Sequence, residues 1–219
     1  MIRLEALFWV GLAILSPALV KPAWPRMVSF LKLSERSQDL AQRLAPWLWG
    51  IVPAYLALIT GAIPARFFGL TGHSPLAWFG GAIICGAIVG LAALVRWPEG
   101  SWPTPTRGVL DEPRWALYRA AGVLWISRPE LGLLMGLGLA LLEWAISYRP
   151  WKGPPRVTLR MWRTAEGNSR WPAGTWETVA RVAGSSLIFA TTRNFWLTAL
   201  TQAVLLGMMR RKWANDSVT

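Results

Sequence analysis

Apolar residues in this chain are grouped into seven runs, which polar and basic stretches separate. Six of the runs approach the length of about 20 residues that a helix needs to cross the hydrocarbon of a bilayer. These six runs are Leu4–Val20, Leu44–Ile63, Leu76–Val95, Leu131–Ser147, Thr178–Thr192 and Phe195–Met209. The seventh run, Trp115–Ser127, is shorter and contains Arg119, so it is either a full crossing with polar ends or a half-penetrating helix. The pattern predicts an all-α polytopic transmembrane bundle of about seven helices.

The basic residues between the runs predict the orientation of this bundle. With seven crossings, 21–43, 96–114, 148–175 and 210–219 fall on one side of the membrane and hold seventeen Lys and Arg residues. The connections on the other side hold four. Because Lys and Arg collect on the cytoplasmic side, we expect a multi-pass protein of the cell membrane with its N-terminus outside and its C-terminus in the cytoplasm. Without a crossing at Trp115–Ser127, the richest basic connection, 148–175, would lie outside.

Two features near the N-terminus leave alternatives open. Residues 1–18 resemble a cleaved signal peptide, although Glu5 is unusual there and cleavage would export the basic residues of 21–43. In addition, the segment MVSFLKLSERSQDLAQRL has a loose helical spacing of apolar residues. It is either an interfacial helix lying along the headgroups or a solvated linker helix.

Composition supports the membrane interpretation. Hydrophobic residues make up 53% of the 219 residues and charged residues 16%. The net charge of +12 is spread over four connections on one predicted face, which favours membrane lipids as partners and not nucleic acid. Many of the 16 Trp residues flank apolar runs, as interfacial anchors do. The single cysteine, Cys85, excludes an internal disulfide.

Three ionisable side chains lie within apolar runs: Arg119, Glu143 and Arg181. A charge in hydrocarbon is costly unless it is paired or faces water, so such residues indicate function or pairing. Antiparallel packing of the two helices predicts an Arg119–Glu143 ion pair, which Arg181 could join. The alternative is that both arginines extend separately to the interface. Small residues four apart, at Gly86/Gly90 and Gly132/Gly136, predict close packing between helices.

The phrase TTRNFWLTALTQAV, residues 191–204, resembles the last core helix of the CAAX-protease and bacteriocin-processing family of intramembrane proteases. In that family the phrase is close to Thr-x-Ser-Leu-Trp-Leu-x-x-x-x-His-Ala-x-x-Asn. The positions that match this frame are Thr192, Asn194, Trp196, Leu197 and Ala203. Gln202 stands at the position of the catalytic His and Leu206 at that of the Asn.

Two further signatures of the family have partial counterparts. In RWALYRAAG, Arg119 takes the Arg position of Glu-Glu-x-x-x-Arg, while Arg114 and Trp115 stand where the glutamates belong. The nearby acidic pair Asp111–Glu112 has a different spacing from Arg119. The Phe-x-x-x-His signature falls on Leu139 and Glu143. The resemblance covers roughly residues 111–209.

The chain lacks residues that activate water in such enzymes. Peptide hydrolysis needs a general base or a metal with several protein ligands, and the chain contains one histidine, His73, in a short connection. A local hydrogen bond is the expected role of that side chain. Ser185 and Ser186 have no His to activate them, so helix packing is their expected role. We expect no catalytic residues, no metal site and no cofactor.

These observations predict three regions: N-terminal transmembrane helices with cytoplasmic linkers over 1–110, a protease-like helical core over 111–209, and a basic cytoplasmic tail over 210–219. The residues expected to line a polar intramembrane cavity are Arg119, Glu143, Arg181 and Gln202. The expected function is non-catalytic binding or scaffolding in the membrane, with a membrane protein or a peptide as a further partner. The alternatives are an active endopeptidase that uses Asp111, Glu112 and Glu143, and a transporter or a structural subunit of a membrane complex.

Overall fold

A computed structural model describes residues 2–31, 34–94, 105–126, 128–148 and 175–216. Among these residues the fold is all-α, as the apolar pattern predicts, and no strand is present. The helices are α1 (Ile2–Phe30), α2 (Glu35–Ile59), α3 (Ala65–Phe68), α4 (Pro75–Leu94), α5 (Pro105–Ile126), α6 (Pro129–Tyr148), α7 (Thr175–Thr192) and α8 (Phe195–Asp216). The predicted boundary at 110/111 lies inside α5, and most of the predicted basic tail continues α8. The division into three regions stays a prediction.

Helix α5 is longer than the sequence predicts. The predicted helix begins at Trp115, whereas α5 begins ten residues earlier, at Pro105. Proline is well tolerated in the first turn of a helix, where its missing N–H would have no partner. The assignment of 105–114 to a Pro-rich connection is therefore wrong. The rest of that connection, and the connection 148–175 from residue 149 to residue 174, lie outside the described residues.

The segment MVSFLKLSERSQDLAQRL is divided between two helices. Helix α1 continues to Phe30, and α2 begins at Glu35 after the N-cap residue Ser34. The Ser34 side chain accepts a hydrogen bond from the backbone N–H of Ser37 at 3.4 Å, which satisfies one free donor of the first turn. A separate interfacial or linker helix at this place is therefore a wrong prediction.

Helix α5 lies at the centre of the bundle. It packs most extensively against α6 and also contacts α1, α2, α3, α7 and α8. The residues from Trp115 to Ala121 are all buried. Glycines bring α5 and α6 close together: a Cβ at Gly136 would lie 2.6 Å from the Arg119 Cα, and one at Gly122 would lie 2.2 Å from the Gly132 carbonyl oxygen. The predicted packing role is confirmed for Gly132 and Gly136.

Among the described residues, two helices are long and apolar enough to cross a membrane. They are α4 and the Pro129–Ser147 part of α6, of which 11% and 22% respectively is buried within the protein. Shorter apolar stretches occur at Leu4–Pro17 and Gly50–Ile59. On α4 the predicted packing glycines Gly86 and Gly90 have no atom within 4 Å of a Cβ placed on them, so neither mediates close helix packing among the described residues.

Candidate functional site

Most of the buried polar side chains lie between α5, α6 and α7. All four residues predicted to line a polar cavity are buried. We define the charged cluster as Asp111, Glu112, Arg114, Tyr118, Arg119, Glu143, Arg181 and Ser185. It contains three carboxylates and three guanidiniums, so its formal charges cancel.

Helix periodicity explains why α5 contributes five members. Residues three, four or seven apart lie on one side of an α-helix. Asp111, Arg114 and Tyr118 have this spacing. Glu112 and Arg119, seven apart, form a neighbouring row. An α5 that begins at Pro105 therefore presents two adjacent rows of polar groups to the helices around it.

The inner half of the cluster is the Glu112–Arg119 ion pair with Ser185. Both charged side chains are almost fully buried, at 0% and 1% exposure. Arg119 donates to the Ser185 hydroxyl at 2.7 Å, and this hydroxyl donates to Glu112 at 2.6 Å. The Arg119 guanidinium also lies 4.6 Å from the centre of the Phe189 ring, within cation–π range. These bonds join α5 to α7, and they leave the buried Nε atom of Arg119 without a hydrogen-bond partner among the described residues.

The outer half is formed by Asp111, Arg114, Glu143 and Arg181. Arg114 Nη2 lies 3.0 Å from one Asp111 oxygen, and Arg181 Nη2 lies 2.7 Å from the other. Arg114 Nε lies 3.0 Å from Glu143, which also accepts a hydrogen bond from the Tyr118 hydroxyl at 3.1 Å. These contacts connect α5 to both α6 and α7.

The predicted Arg119–Glu143 ion pair is wrong. Glu143 pairs with Arg114, and Arg119 pairs with Glu112. The register of the antiparallel helices explains this: Gly136 lies opposite Arg119, and Glu143 is seven residues, or about 10 Å, further along α6. Glu143 is therefore level with the first turns of α5. The alternative, in which both arginines extend separately to the interface, is also wrong, because both are buried in ion pairs.

Arg181 joins the cluster as expected, but through Asp111. Its guanidinium also lies 5.1 Å from the centre of the Trp115 ring. Gln202 lies next to the cluster, where its side-chain amide donates to the Arg181 backbone carbonyl at 3.1 Å. Gln202 thus connects α8 to α7 through a backbone carbonyl and not through a charged side chain. The cavity that these residues were expected to line stays a prediction.

Sequence reasoning missed four members of the cluster. The sequence indicates Asp111 and Glu112 only through a family spacing and as carboxylates of the alternative endopeptidase, Arg114 only as a replaced position, and Tyr118 not at all. The seven-residue separation of Glu112 and Arg119 was the available signal, but it has meaning only when α5 is extended to Pro105. Ser185 does stabilise helix packing, as expected, and it does so by bonding both members of a buried ion pair.

The phrase at residues 191–204 contains the end of α7, the turn between α7 and α8, and the first ten residues of α8. Arg193 has a left-handed backbone with φ 49°. The Asn194 side-chain oxygen accepts hydrogen bonds from the N–H groups of Trp196 and Leu197, at 2.9 and 3.2 Å, and so caps α8. The Phe195 N–H donates to the Gly69 carbonyl at 2.9 Å, which joins this turn to the connection after α3.

His73 lies near the turn between α7 and α8, because it contacts the same Gly69 carbonyl as Phe195 does. This turn is at the opposite end of α7 from Arg181. The Nε2 atom of His73 is 3.0 Å from the Gly69 carbonyl oxygen, and its ring stacks edge-on with Trp78 at 6.3 Å between centres. The expected role as a local hydrogen bonder is confirmed. Among the residues that the structure describes, no three His, Cys, Asp or Glu side chains are placed to hold a metal ion together.

Comparisons with protein-family models, with curated proteins and with solved structures found no match for this chain.

Proposed function

We propose that this chain is a multi-spanning membrane protein whose buried charged cluster locks three helices together, and that it acts by binding or scaffolding in the bilayer. In this proposal about seven segments cross the membrane, with the N-terminus outside and the C-terminus in the cytoplasm. The core over 111–209 is similar to that of the CAAX-protease and bacteriocin-processing family, with the catalytic positions replaced.

The exposed surface of the described helices supports the membrane part of the proposal. Helix α4 exposes large apolar side chains along its whole length, including Leu76, Phe79, Ile83, Leu91 and Leu94. A soluble monomer rarely exposes so large an apolar surface, whereas lipid tails cover it at no cost. The seventeen basic residues on one predicted side support the orientation.

The pairing within the charged cluster carries the functional part of the proposal. Each of its three carboxylates is in contact with a guanidinium, and Glu112 has no exposed surface. A carboxylate that acts as a general base must reach a water molecule next to the substrate. Because these carboxylates are engaged with arginines, the cluster is better suited to holding α5, α6 and α7 in register than to activating water.

The replaced positions agree with this role. Gln202, at the position of a catalytic histidine, donates to a helix carbonyl, and Leu206, at the position of an asparagine, is buried. Neither side chain can accept a proton from water at neutral pH. The only histidine of the sequence lies in the connection before α4, near the turn at the opposite end of α7 from Arg181.

The second candidate function is an intramembrane endopeptidase that uses Asp111, Glu112 and Glu143. One observation favours it: all three carboxylates belong to the same buried cluster. In this case one arginine would have to release its carboxylate when substrate enters.

A cleavage assay separates the two functions. The purified protein, reconstituted in lipid nanodiscs, is incubated with a prenylated peptide and with a bacteriocin-like precursor, with and without added zinc. We expect no product above that of empty nanodiscs. Cleavage that the wild type performs and the Glu112→Gln and Glu143→Gln variants do not would establish the endopeptidase and contradict the scaffold.

Labelling of single cysteines tests the orientation, since Cys85 is the only cysteine of the sequence. In a Cys85→Ser background, Thr71→Cys should react with an impermeant maleimide on intact cells. Arg36→Cys should react only after permeabilisation. The reverse pattern would overturn the proposed orientation, and equal reactivity of both sites without membrane association would overturn the membrane proposal itself.

A further inference from the structure

The outer half of the charged cluster has the geometry of an anion site. Two guanidiniums approach one carboxylate from different helices, Arg114 at 3.0 Å and Arg181 at 2.7 Å, and each binds a different oxygen of Asp111. Planar guanidinium groups bind the oxygens of carboxylates and phosphates with the same donor geometry. Asp111 therefore occupies a position that an external anion with two or more free oxygens also fits.

The outer half is also less deeply buried than the inner half. The side chains of Asp111, Arg114 and Arg181 are 15%, 13% and 7% exposed, whereas those of Glu112 and Arg119 are 0% and 1% exposed. An anion from outside would therefore meet the outer arginines before the inner pair, which is closed to it.

Arg181 has unused donor capacity. Its Nε atom is buried and has no hydrogen-bond partner among the described residues. A guanidinium carries five N–H donors, and a buried donor without a partner is unfavourable. A phosphate presents more acceptor oxygens than the single carboxylate of Asp111, so it can satisfy donors that Asp111 leaves free.

The depth of the site indicates the source of the anion. Glu143 is four residues, or about 6 Å along the helix, from the end of the candidate span at Ser147. This end of the bundle lies on the predicted side that holds seventeen of the basic residues, which attract anionic lipids. The nearest phosphate is therefore that of a lipid headgroup, and long arginine side chains readily extend to that level.

We infer that Arg114 and Arg181 form a binding site for the phosphate of an anionic phospholipid, and that Asp111 fills this site when no lipid is bound. On binding, the lipid phosphate replaces the Asp111 carboxylate between the two guanidiniums, and Asp111 turns toward the surface. The inference rests on the proposed membrane embedding and gives the scaffold a lipid ligand.

The Asp111→Asn variant tests this directly, because it removes the internal competitor. Native mass spectrometry of the delipidated protein in detergent, titrated with phosphatidylglycerol, should give at least tenfold tighter binding for Asp111→Asn than for the wild type. The matched control is Asp39→Asn, which removes an equivalent carboxylate from the exposed Asp39–Arg43 pair. It should bind as the wild type does. The Asp111→Asn/Arg181→Gln double variant should lose the gain.

Separate titrations distinguish the sources of the anion. Phosphatidylcholine and inorganic phosphate replace phosphatidylglycerol in these arms, and we expect both to bind at least tenfold more weakly. Preference for inorganic phosphate would contradict a lipid site. Binding by Asp111→Asn but not by the wild type would mean that Asp111 is not displaced, and would overturn the inference.

If Asp111→Asn does not fold, a comparison of Arg181→Gln with the wild type still tests the inference. Arg181→Gln should then retain at least tenfold less phosphatidylglycerol than the wild type does, and equal retention would overturn the inference. The cysteine-labelling experiment separates the two proposals. A protein that is embedded as proposed but does not bind the lipid contradicts only the lipid site.

Discussion

Helices α4 and α5 are built in opposite ways. Helix α4 contains no charged residue, yet only 11% of its apolar window is buried within the protein. Helix α5 contains Asp111, Glu112, Arg114 and Arg119, yet it is the central helix, with every residue from Trp115 to Ala121 buried. The most apolar helix lies at the periphery, and the helix richest in buried charge lies in the core.

This difference indicates which solvent the fold is built for. In water, apolar helices occupy the core and charges remain outside, because the hydrophobic effect drives apolar surface inward. In lipid, apolar surface gains nothing by leaving the tails, while charges are stable only where protein groups neutralise them. The pairing of an exposed apolar α4 with a charged, buried α5 is the arrangement that a bilayer favours, and each prediction below tests one side of it.

Removing one charge from the core of α5 should have the largest effect. Arg119→Met leaves the Glu112 carboxylate buried without its guanidinium, which we expect to cost about 3–5 kcal/mol of stability. Thermal unfolding in detergent measures this loss. The control is the double variant Glu112→Gln/Arg119→Met, which should recover most of it. A double variant no more stable than the single one would show that charge pairing is not what stabilises α5.

A charge placed on the exposed side of α4 tests the other helix. Ile83 is 59% exposed near the middle of α4, so Ile83→Lys should cost about 3 kcal/mol in membrane insertion. The measurement is the fraction of protein that stays in the membrane after an alkaline wash, with Ile83→Leu as the matched control. If both variants remain in the membrane equally, the exposed face of α4 does not contact lipid tails.

Glycine substitutions compare the packing of the two helices. Gly136→Ala puts a methyl group 2.6 Å from the Arg119 Cα and should destabilise the α5–α6 contact by about 1–3 kcal/mol. Gly86→Ala on α4 meets no atom within 4 Å and should be neutral or slightly stabilising, since alanine favours a helix over glycine. Unfolding midpoints of the two variants measure the difference, and a reversed order would contradict the packing described here.

The smallest effect is expected where an ion pair lies in the exposed part of α2. Asp39 and Arg43 are 2.8 Å apart, but their side chains are 60% and 76% exposed. Asp39→Asn should therefore change stability by less than about 0.5 kcal/mol, since water screens such a pair. The same unfolding assay used for Arg119→Met checks this. A loss as large as that of Arg119→Met would remove the distinction between buried and exposed pairs.

Sequence reasoning predicted most of the helical elements and identified Arg119, Glu143 and Arg181, all three of which are buried. The placement of 64–75 and 193–194 on the same side of a membrane stays a prediction. The first two turns of α5 could not be predicted, because their helical form depends on tertiary packing. Gly108 faces Leu206 and Gln202 of α8, and Gly50 of α2 faces the Leu110 carbonyl. These contacts join residues that are far apart in the sequence, so no local sequence pattern predicts them.

The partners of the charges were also beyond prediction from sequence. The residue opposite Glu143 depends on the register in which α5 and α6 pack, and Gly136 against Arg119 determines that register. The spacing of residues along one helix does not reveal which residues of a neighbouring helix lie opposite them. The resemblance of 191–204 to a catalytic helix stays a prediction, while the local role of Asn194 in capping α8 is now explained.

The bond between Gly69 and Phe195 limits how the bundle can move. Helix α7 is joined to α5 in its central part, through Arg181 and Ser185, and the turn at its end is joined to the connection after α3. A helix held at its centre and at one end cannot swing outward about either contact alone. A ligand that enters between α5 and α7 is therefore expected to do so by exchange of side-chain partners within the charged cluster, and not by an outward swing of α7.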